Sequence, residues 1–186
     1  MHLQNSEEQL IIAGCRKNES WARKRLYELY APTMMGVCMR YTNNGEAAKD
    51  ILHEGFIKIF TKIDAFLGKG SFEGWMRRIF ATTALEFLEK EPFVAPEIAE
   101  QEENFDETIV ERMSAEEIMK CISELSPGYR KIFNLHAIEG YSHAEIAKML
   151  NIKEGSSRSQ FAHARQVLQT KIKRLHTYKY AETEVI

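Results

Sequence analysis

The sequence predicts an all-α protein built from two small helical domains that are joined by an acidic linker. Apolar residues recur every three or four positions along most of the chain, which is the spacing of amphipathic helices. Strand signals, meaning alternating β-branched runs bounded by turn residues, are absent from the sequence. Charge divides the chain, because residues 91–117 carry 1 Arg and 10 acidic residues, whereas residues 130–186 carry 10 basic and 5 acidic ones. A length of 186 residues leaves room for two small domains on either side of the acidic segment.

The N-terminal part of the chain contains three helical patterns and the start of a fourth. The apolar residues of the first three are Leu10, Ile11 and Cys15; Leu26, Leu29, Tyr30, Met34, Val37, Cys38 and Tyr41; and Ile51, Leu52, Phe56, Ile59, Phe60 and Ile63. After a break at Gly68 and Gly70, Ser71 is suited to cap a fourth helix. We assign Phe72 and Trp75 on that helix to the core. These patterns predict a helical domain at residues 1–92.

An acidic linker is predicted at residues 93–112. Prolines at its start and the acidic run at residues 100–103 disfavour helices and collapse, so we expect an extended, self-repelling tether. The alternative is a solvated acidic helix face. A second domain at residues 113–176 opens with Ser114 and Glu117, which are spaced as a capping box. A tail follows at residues 177–186.

The second domain has the pattern of a helix-turn-helix. Ser126 is expected to cap a helix whose first residue is Pro127, and that helix ends at Gly140. Ser142 and Glu145 form a second capping box, which opens a short helix. A further helix follows a break at residues 151–155. Two helices separated by so short a turn are typical of DNA-binding modules.

The chemistry of the last helix favours a recognition helix for duplex DNA. Its first turn is small and rich in hydroxyls, so it can approach phosphate closely. Arginine pairs bidentately with guanine and glutamine with adenine in the major groove. The alternative is a capped surface helix with a basic face. The candidate DNA-binding residues are Ser156, Ser157, Arg158, Ser159, Gln160, His163 and Arg165.

Nothing in the sequence predicts an active site, a cofactor or a membrane segment. A Walker loop, a GxSxG turn and an HExxH helix are all missing. The 3 cysteines are far apart and read as small buried hydrophobes, and the 6 histidines lack a metal-ligand frame. The N-terminus lacks the basic start and apolar stretch of a signal peptide. We therefore expect no enzymatic activity, no cofactor, no membrane insertion and a cytoplasmic location.

The second domain resembles region 4 of extracytoplasmic-function (ECF) sigma factors, which belong to the sigma-70 family. The resemblance is carried by LSP at residues 125–127 with Arg130, EGYSHAEIAKML at 139–150, IKEGSSRSQ at 152–160 and AHAR at 162–165. It implies that the recognition helix binds the minus-35 promoter element. Lys153 stands where the family commonly has a Ser or Thr cap, so we expect the helix to start nearer Ser156.

The first domain resembles region 2 of the same family. The matching runs are LYELY at residues 26–30, RY at 40–41, DILHEGFIKIF at 50–60 and SFEGWMRRI at 71–79. The resemblance implies that residues 50–60 dock on the clamp of RNA polymerase. The helical spacing places four charged or polar side chains on one exposed face there, although a solvated helix side is the alternative. These polymerase-binding candidates are Asp50, His53, Glu54 and Lys58.

The same resemblance implies that the loop at residues 64–71 and the following helix face the minus-10 element. The candidate residues are Lys69, Ser71, Arg77, Arg78 and Thr82. This helix departs from the family, which commonly has Asn at the position of Thr82 and Arg at that of Glu89. Because Glu86 and Glu89 put negative charge where a DNA backbone would pass, we expect weakened minus-10 contact.

Together the two resemblances imply a transcription initiation factor that binds RNA polymerase core, at its clamp and flap, and directs it to specific promoters. An anti-sigma factor is a further partner that the resemblance implies. Two alternatives remain open from the residues alone. One is a stand-alone helix-turn-helix regulator that binds a palindromic operator, and the other is an all-α adaptor with an inactive DNA-binding module.

Overall fold

The computed structural model of the protein describes residues 2–88, 105 and 108–181. Contacts divide the chain into two compact units, an N-terminal unit, Met1–Lys90, and a C-terminal unit, Glu91–Ile186. The described residues form helices and no strands, as the sequence predicts. Their bounds are α1 His2–Arg16, α2 Ser20–Tyr41, α3 Gly45–Lys62, α4 Phe72–Leu88, α5 Thr108–Glu111, α6 Ala115–Ser123, α7 Pro127–Phe133, α8 His143–Leu150 and α9 Glu154–Ala181.

The N-terminal unit is organised around α2, which packs against α1, α3 and α4. Apolar side chains at helical spacing fill the space between these helices, and Leu26, Ile51 and Met76 are fully buried. At the crossing of α3 and α4, Gly55 lies so close to Phe80 that an added Cβ would stand 2.1 Å from the aromatic ring. A glycine is therefore required at residue 55 for the two helices to meet at this distance.

An aromatic cluster joins the base of α4 to the short 3-10 turn Ile63–Ala65 that follows α3. Phe72 is buried, and its ring stacks on that of Trp75 with centroids 5.6 Å apart. Phe66 packs against both rings, at 5.0 Å and 5.5 Å. The assignment of Phe72 to the core is confirmed, and Trp75 lies half-buried at the edge of the cluster.

The C-terminal unit forms its own core from α6, α7 and α9. The buried members include Ile122, Tyr129 and Leu168. Phe105 and Ile109 pack against this core, although they lie in the segment predicted as linker. The described residues of that segment thus belong to the C-terminal unit. Residues 93–104, 106 and 107 lie outside the described residues, so the extended tether stays a prediction.

The capping predictions are confirmed at Ser114 and Ser142 but not at Ser126. Each of the first two side chains accepts a hydrogen bond from the backbone N–H three residues later, and the glutamate there bonds back, which completes a capping box. Pro127 opens α7 as predicted. The hydroxyl of Ser126, however, makes no capping hydrogen bond and is buried without a partner.

The helical path after α7 widens before the chain turns. A π-type segment, Asn134–Ile138, extends α7, and Gly140 then turns the chain with a φ of 77°. This stop was predicted at Gly140. The start of α9 was predicted wrongly, because α9 begins at Glu154 rather than near Ser156, with the amide of Ser157 bonded to the carbonyl of Lys153. Asn151, which has a φ of 52°, turns the backbone between α8 and α9.

The cysteines behave as the sequence predicts. Cys15, Cys38 and Cys121 are all buried and form no disulfide. Burial raises the pKa of the Cys38 thiol to about 12, which leaves it inert as a nucleophile. Across the described residues, no helix combines the length and the apolar character needed to span a membrane.

Candidate nucleic-acid interface

The helix-turn-helix is formed by α8 and the first half of α9. The chain leaves α8 through Asn151, whose left-handed conformation reverses the backbone, and enters α9 three residues later. Ile146 on α8 and Ala164 on α9 are completely buried, and α8 packs against α9. Ala164 belongs to the core that α9 forms with α6 and α7. Both that core and the contact with α8 therefore fix the position of α9.

One face of α9 presents two arginines to solvent. Arg158 and Arg165 are both exposed, and their separation of seven residues places them on the same side of the helix. Ala162 lies between them and is also exposed. A small residue there allows close approach to a base edge, and alanine can contact a thymine methyl group. Sequence reasoning missed Ala162, although its spacing from Arg158 could have indicated it.

Arg158 already has an acidic partner in this structure. Its guanidinium lies 2.6 Å from the carboxylate of Glu154, one turn earlier on α9. Two-thirds of the Arg158 side chain, 66%, is still exposed. Exposed pairs of this kind contribute at most about 1 kcal/mol, so DNA can compete with Glu154 for the guanidinium.

Ser157 is not available to DNA, which corrects the prediction made from the sequence. The residue is fully buried, and its Oγ lies 2.9 Å from Nδ1 of His143 on α8. Helical spacing alone could not show this contact, because His143 approaches from another element. Of the other candidates near the helix start, Ser159 is exposed, and Ser156 and Gln160 are half-buried.

His163 is the remaining candidate on α9, and it lies on a different side of the helix from Arg158 and Arg165. It is exposed, and its ring stacks on Tyr129 with centroids 6.3 Å apart and planes 19° apart. One ring face is therefore turned toward α7, which leaves the edge and the other face for contacts outside the protein. The structure thus leaves Arg158 and Arg165 exposed on one side of α9 and His163 exposed on another side.

The face of α3 predicted to dock on polymerase contains an apolar residue among its acids. Asp50, His53 and Glu54 are exposed as expected. Ile57 is 58% exposed and lies three or four residues from His53 and Glu54, so it shares their face. Sequence reasoning assigned no role to Ile57, although an exposed apolar side chain can supply area that is desolvated when a partner binds.

Lys58 does not belong to that exposed face, contrary to the prediction. Its ammonium pairs with the carboxylate of Glu86 on α4, and only 20% of its side chain is exposed, against 64% for Glu86. The pair also offsets the negative charge that was expected to repel DNA at Glu86. Glu89, the other acid in that expectation, lies outside the described residues.

The loop before α4 carries the first of the minus-10 candidates. Lys69 is exposed between Gly68 and Gly70, whose φ angles of 72° and 83° suit glycine. Ser71 caps α4 as predicted, because its Oγ accepts a hydrogen bond from the amide of Gly74 at 3.2 Å. Its hydroxyl is thereby partly committed to the fold.

On α4 itself the three remaining candidates differ in their exposure. Arg78 is exposed, whereas Arg77 is partly covered and lies 3.5 Å from the carboxylate of Glu73. The hydroxyl of Thr82 lies 3.1 Å from the carbonyl of Arg78 and 2.9 Å from that of Ile79, within its own helix. Thr82 is half-buried, so Arg78 and Lys69 are the more accessible cations.

Arg16 fixes the base of this loop, and sequence reasoning did not single it out. Its Nη2 donates a hydrogen bond to the carbonyl of Phe66 at 2.5 Å, and its Nε lies 3.8 Å from Asp64. The contact spans 50 residues of sequence, so no local pattern could have revealed it. The loop is therefore held to the end of α1.

Family models match both units. The model described as Sigma-70 region 2 matches residues 26–92, and the model described as Sigma-70, region 4 matches residues 115–168. The two matches together cover more than half of the chain. They fall on the stretches whose motifs resemble these regions in the sequence.

Relatives and solved structures extend the similarity along the chain. The chain is 25% identical to an ECF RNA polymerase sigma-E factor of Haemophilus influenzae over 90% of its own length and 96% of the relative's. It is 26% identical to the ECF RNA polymerase sigma-E factor of Escherichia coli strain K12, with 90% and 95% covered.

Two solved structures have a similar fold. One is CnrH in complex with the cytosolic domain of CnrY, with a TM-score of 0.51, 15% identity and coverage of 90% of this chain and 98% of that one. The other is the sigma factor RpoE from Bartonella quintana in complex with the anti-sigma factor NepR, with a TM-score of 0.51, 18% identity and coverage of 81% and 96%. With regions 2 and 4 both matched, the chain belongs to the sigma-70 family as an ECF-type sigma factor, a transcription initiation factor that binds RNA polymerase core and directs it to promoters.

Proposed function

We propose that this sigma factor reads the minus-35 element with the exposed face of α9 that carries Arg158, Ala162 and Arg165. The observation that carries the proposal is the joint exposure of two arginines seven residues apart on the second helix of a helix-turn-helix. That spacing suits one arginine to a base edge and the other to a phosphate. Ser159, Gln160 and His163 lie on other sides of the same turns and are further candidates for polar contacts.

The exposed face of α3 is the proposed polymerase contact in the N-terminal unit. It consists of Asp50, His53, Glu54 and Ile57. Acidic side chains steer the encounter with a basic partner, and the apolar side chain of Ile57 supplies area that is desolvated on binding. Lys58 is left out of the contact, since it pairs with Glu86.

Contact with the minus-10 element is proposed for the loop around Lys69 and for Arg78 on α4. Both side chains are exposed cations near the aromatic cluster that braces the start of α4. Extruding a base costs a few kcal/mol, which cationic and stacking contacts must offset. Arg77 is a secondary candidate, because Glu73 competes for its charge.

The wider setting follows from the relatives. The RpoE structure holds an anti-sigma factor, so we propose that an anti-sigma partner also holds this chain inactive. We propose further that the chain acts in the cytoplasm beside the polymerase, and that it has no catalytic activity of its own, since RNA synthesis belongs to the polymerase. The match of both family regions favours this function over a stand-alone regulator or an inactive adaptor.

Run-off transcription with core polymerase on a genomic promoter library tests the proposal. Wild-type chain should give a defined set of promoters, and Arg158→Ala or Arg165→Ala should reduce their use by a factor of about 5 to 100, as expected for a lost base or phosphate contact. Arg112→Ala is the matched control, because Arg112 is an exposed arginine away from this face of α9. Equal losses in all three variants, or no promoter selection by wild type, would contradict the proposal.

A further inference from the structure

Two histidines and a serine connect three elements at the start of the recognition helix. The rings of His136, in the π-type segment, and His143, the first residue of α8, stack with centroids 4.1 Å apart. Nδ1 of His136 lies 2.8 Å from the carbonyl of Tyr141, and Nδ1 of His143 lies 2.9 Å from Oγ of Ser157 on α9. Phe161, also on α9, packs its ring against both imidazoles.

The hydrogen bond to Ser157 affects the orientation of the first turn of α9 about the helix axis. Ser157 is fully buried, whereas Arg158 beside it is exposed. Successive helical residues point about 100° apart, so holding Ser157 inward holds Arg158 outward. A buried hydroxyl that lost its partner would favour a rotated or frayed turn. The outward orientation of Arg158 thus depends on a hydrogen bond inside the protein, between His143 and Ser157.

The surroundings of His143 favour its uncharged ring. His143 lies at the N-terminus of α8, where the helix dipole disfavours a cation. His136 faces it across the stack, while Arg158 and Glu154 act on it from α9. Burial, His136 and Arg158 lower the pKa of His143, and Glu154 opposes them. Glu145, the acid nearest on α8, is held in the capping box by Ser142.

We propose that His143 is a positioning residue for the recognition helix, which it holds through Ser157 while its ring is neutral, so that minus-35 binding weakens as pH falls. A neutral ring with its proton on Nε2 offers Nδ1 as the acceptor for the Ser157 hydroxyl. Protonation turns Nδ1 into a donor, so the Ser157 hydroxyl must accept instead of donate and its own proton loses this acceptor. Protonation also adds a positive charge near His136 and Arg158, which disfavour it. The inference rests on the proposed reading of the minus-35 element by α9.

The test measures binding of holoenzyme, made with the full chain, to a promoter duplex that wild type selects from the genomic library. Between about pH 7.5 and pH 5.5, wild-type affinity should fall roughly three- to tenfold, the effect expected when one buried hydrogen bond is disturbed and a charge is added beside it. His143→Asn keeps a polar atom near the position of Nδ1 but does not titrate, so its affinity should change with pH much less than that of wild type. Ser157→Ala should lose a similar factor at neutral pH. His176→Asn, which removes another histidine of α9, should keep the wild-type profile.

Amide hydrogen exchange on the same proteins provides a readout that does not require DNA. Acid should lower protection at residues 154–160 in wild type but not in His143→Asn, while residues 164–172 stay protected in both. Identical pH profiles for wild type and His143→Asn in both measurements would overturn the inference. If wild-type holoenzyme selects no promoter, the proposed function fails, and the exchange data still decide whether His143 positions the helix.

Discussion

The carboxylate of Glu154 lies 2.6 Å from the guanidinium of Arg158, so the proposed DNA-binding face of α9 carries an anion beside its first arginine. The acid stabilises α9 in two ways, through this ion pair and through its position at the positive end of the helix dipole. In the proposed contact with the minus-35 element both effects oppose DNA binding, because Arg158 would have to leave Glu154 to reach a base. Folding and DNA binding therefore make opposite demands on residue 154.

Glu154→Gln should tighten promoter binding and slightly destabilise the C-terminal unit. Releasing Arg158 and removing a negative charge should raise affinity roughly two- to tenfold, most clearly at low salt. The loss of the dipole interaction should cost about 0.3–1 kcal/mol of unfolding free energy. Glu116→Gln is the control, since Glu116 is exposed in the first turn of α6 and should show only the stability loss. Weaker promoter binding by Glu154→Gln would mean that the acid positions Arg158 rather than competes with DNA.

Ile57→Asp should weaken binding to polymerase core by about 1–3 kcal/mol without unfolding the N-terminal unit. Ile57 is 58% exposed on the face of α3 that carries Asp50 and Glu54, so an added acid changes the surface and not the core. Burying a charge at the centre of an interface is costly. Fluorescence anisotropy with labelled chain and core polymerase measures the effect. Leu10→Asp is the control, because Leu10 on α1 is similarly exposed, at 66%. An equal loss of affinity for polymerase core in Leu10→Asp would contradict the proposal that α3 forms the contact.

Neutralising Glu86 should change promoter melting less than Glu89→Arg does. Glu86→Gln changes the local charge by one unit, from the neutral Lys58–Glu86 pair to a single cation, whereas Glu89→Arg changes it by two units. Glu89→Arg introduces the residue that the family commonly has and should strengthen open-complex formation. Permanganate footprinting of the minus-10 region compares the two variants. A larger gain for Glu86→Gln would show that the Lys58 pair does not offset the repulsion.

The same pair has a measurable effect on stability. A double-mutant cycle of Lys58→Met and Glu86→Gln, followed by urea denaturation, should give a coupling of about 0.2–1 kcal/mol, because Glu86 is mostly exposed to solvent. A coupling free energy near zero would mean that Lys58 and Glu86 do not form a stabilising ion pair in solution.

Gly55→Ala should destabilise the N-terminal unit by about 1–3 kcal/mol, the usual cost of overpacking a core. The added methyl would stand 2.1 Å from the ring of Phe80, so α3 and α4 must separate. Both tryptophans, Trp21 and Trp75, lie in this unit, and their fluorescence reports its unfolding in urea. Gly36→Ala is the matched control, because no atom lies within 4 Å of its added Cβ on α2, and it should stabilise by about 0.5–1 kcal/mol. Equal stabilities for the two variants would contradict the close packing of α3 on α4.

The parts of this structure that could be predicted from sequence are those set by local chemistry. The capping boxes at Ser114 and Ser142 and the stop at Gly140 each depend on residues within a few positions of one another. The same is true of the apolar spacing that defines the helices and their buried faces. Such signals do not depend on how the helices are arranged in space.

The features that were missed depend on contacts between elements. Ser157 looked like a DNA contact because its helix position was known and His143 was not known to face it. Lys58 looked exposed for the same reason, as Glu86 reaches it from α4. Arg16 acts on a carbonyl 50 residues away. Pairings of this kind follow from tertiary packing, which a single sequence does not reveal.

Stability of the C-terminal unit should fall as the solution becomes acidic, and His143 should account for part of the fall. Burial, the facing His136 and Arg158 lower the pKa of His143 below its ordinary value of 6.5. The unfolded chain therefore takes up a proton near pH 6.5 that the folded unit resists, so acid favours unfolding. The contribution is complete above that pH and is lost as pH falls toward the lower folded value.

Amide NMR signals of Ala164 and Leu168 during urea titrations can follow this unit, since neither tryptophan lies in it. Wild type should lose stability between about pH 7.5 and pH 5, and His143→Asn should lose less over the same interval, because Asn cannot take up the proton. The remaining loss in His143→Asn belongs to other groups of the chain. The two proteins could instead lose stability in parallel at every pH. His143 would then be protonated as readily in the folded unit as in the unfolded chain. In that case the neutral ring bonded to Ser157 would not be the form that stabilises α9.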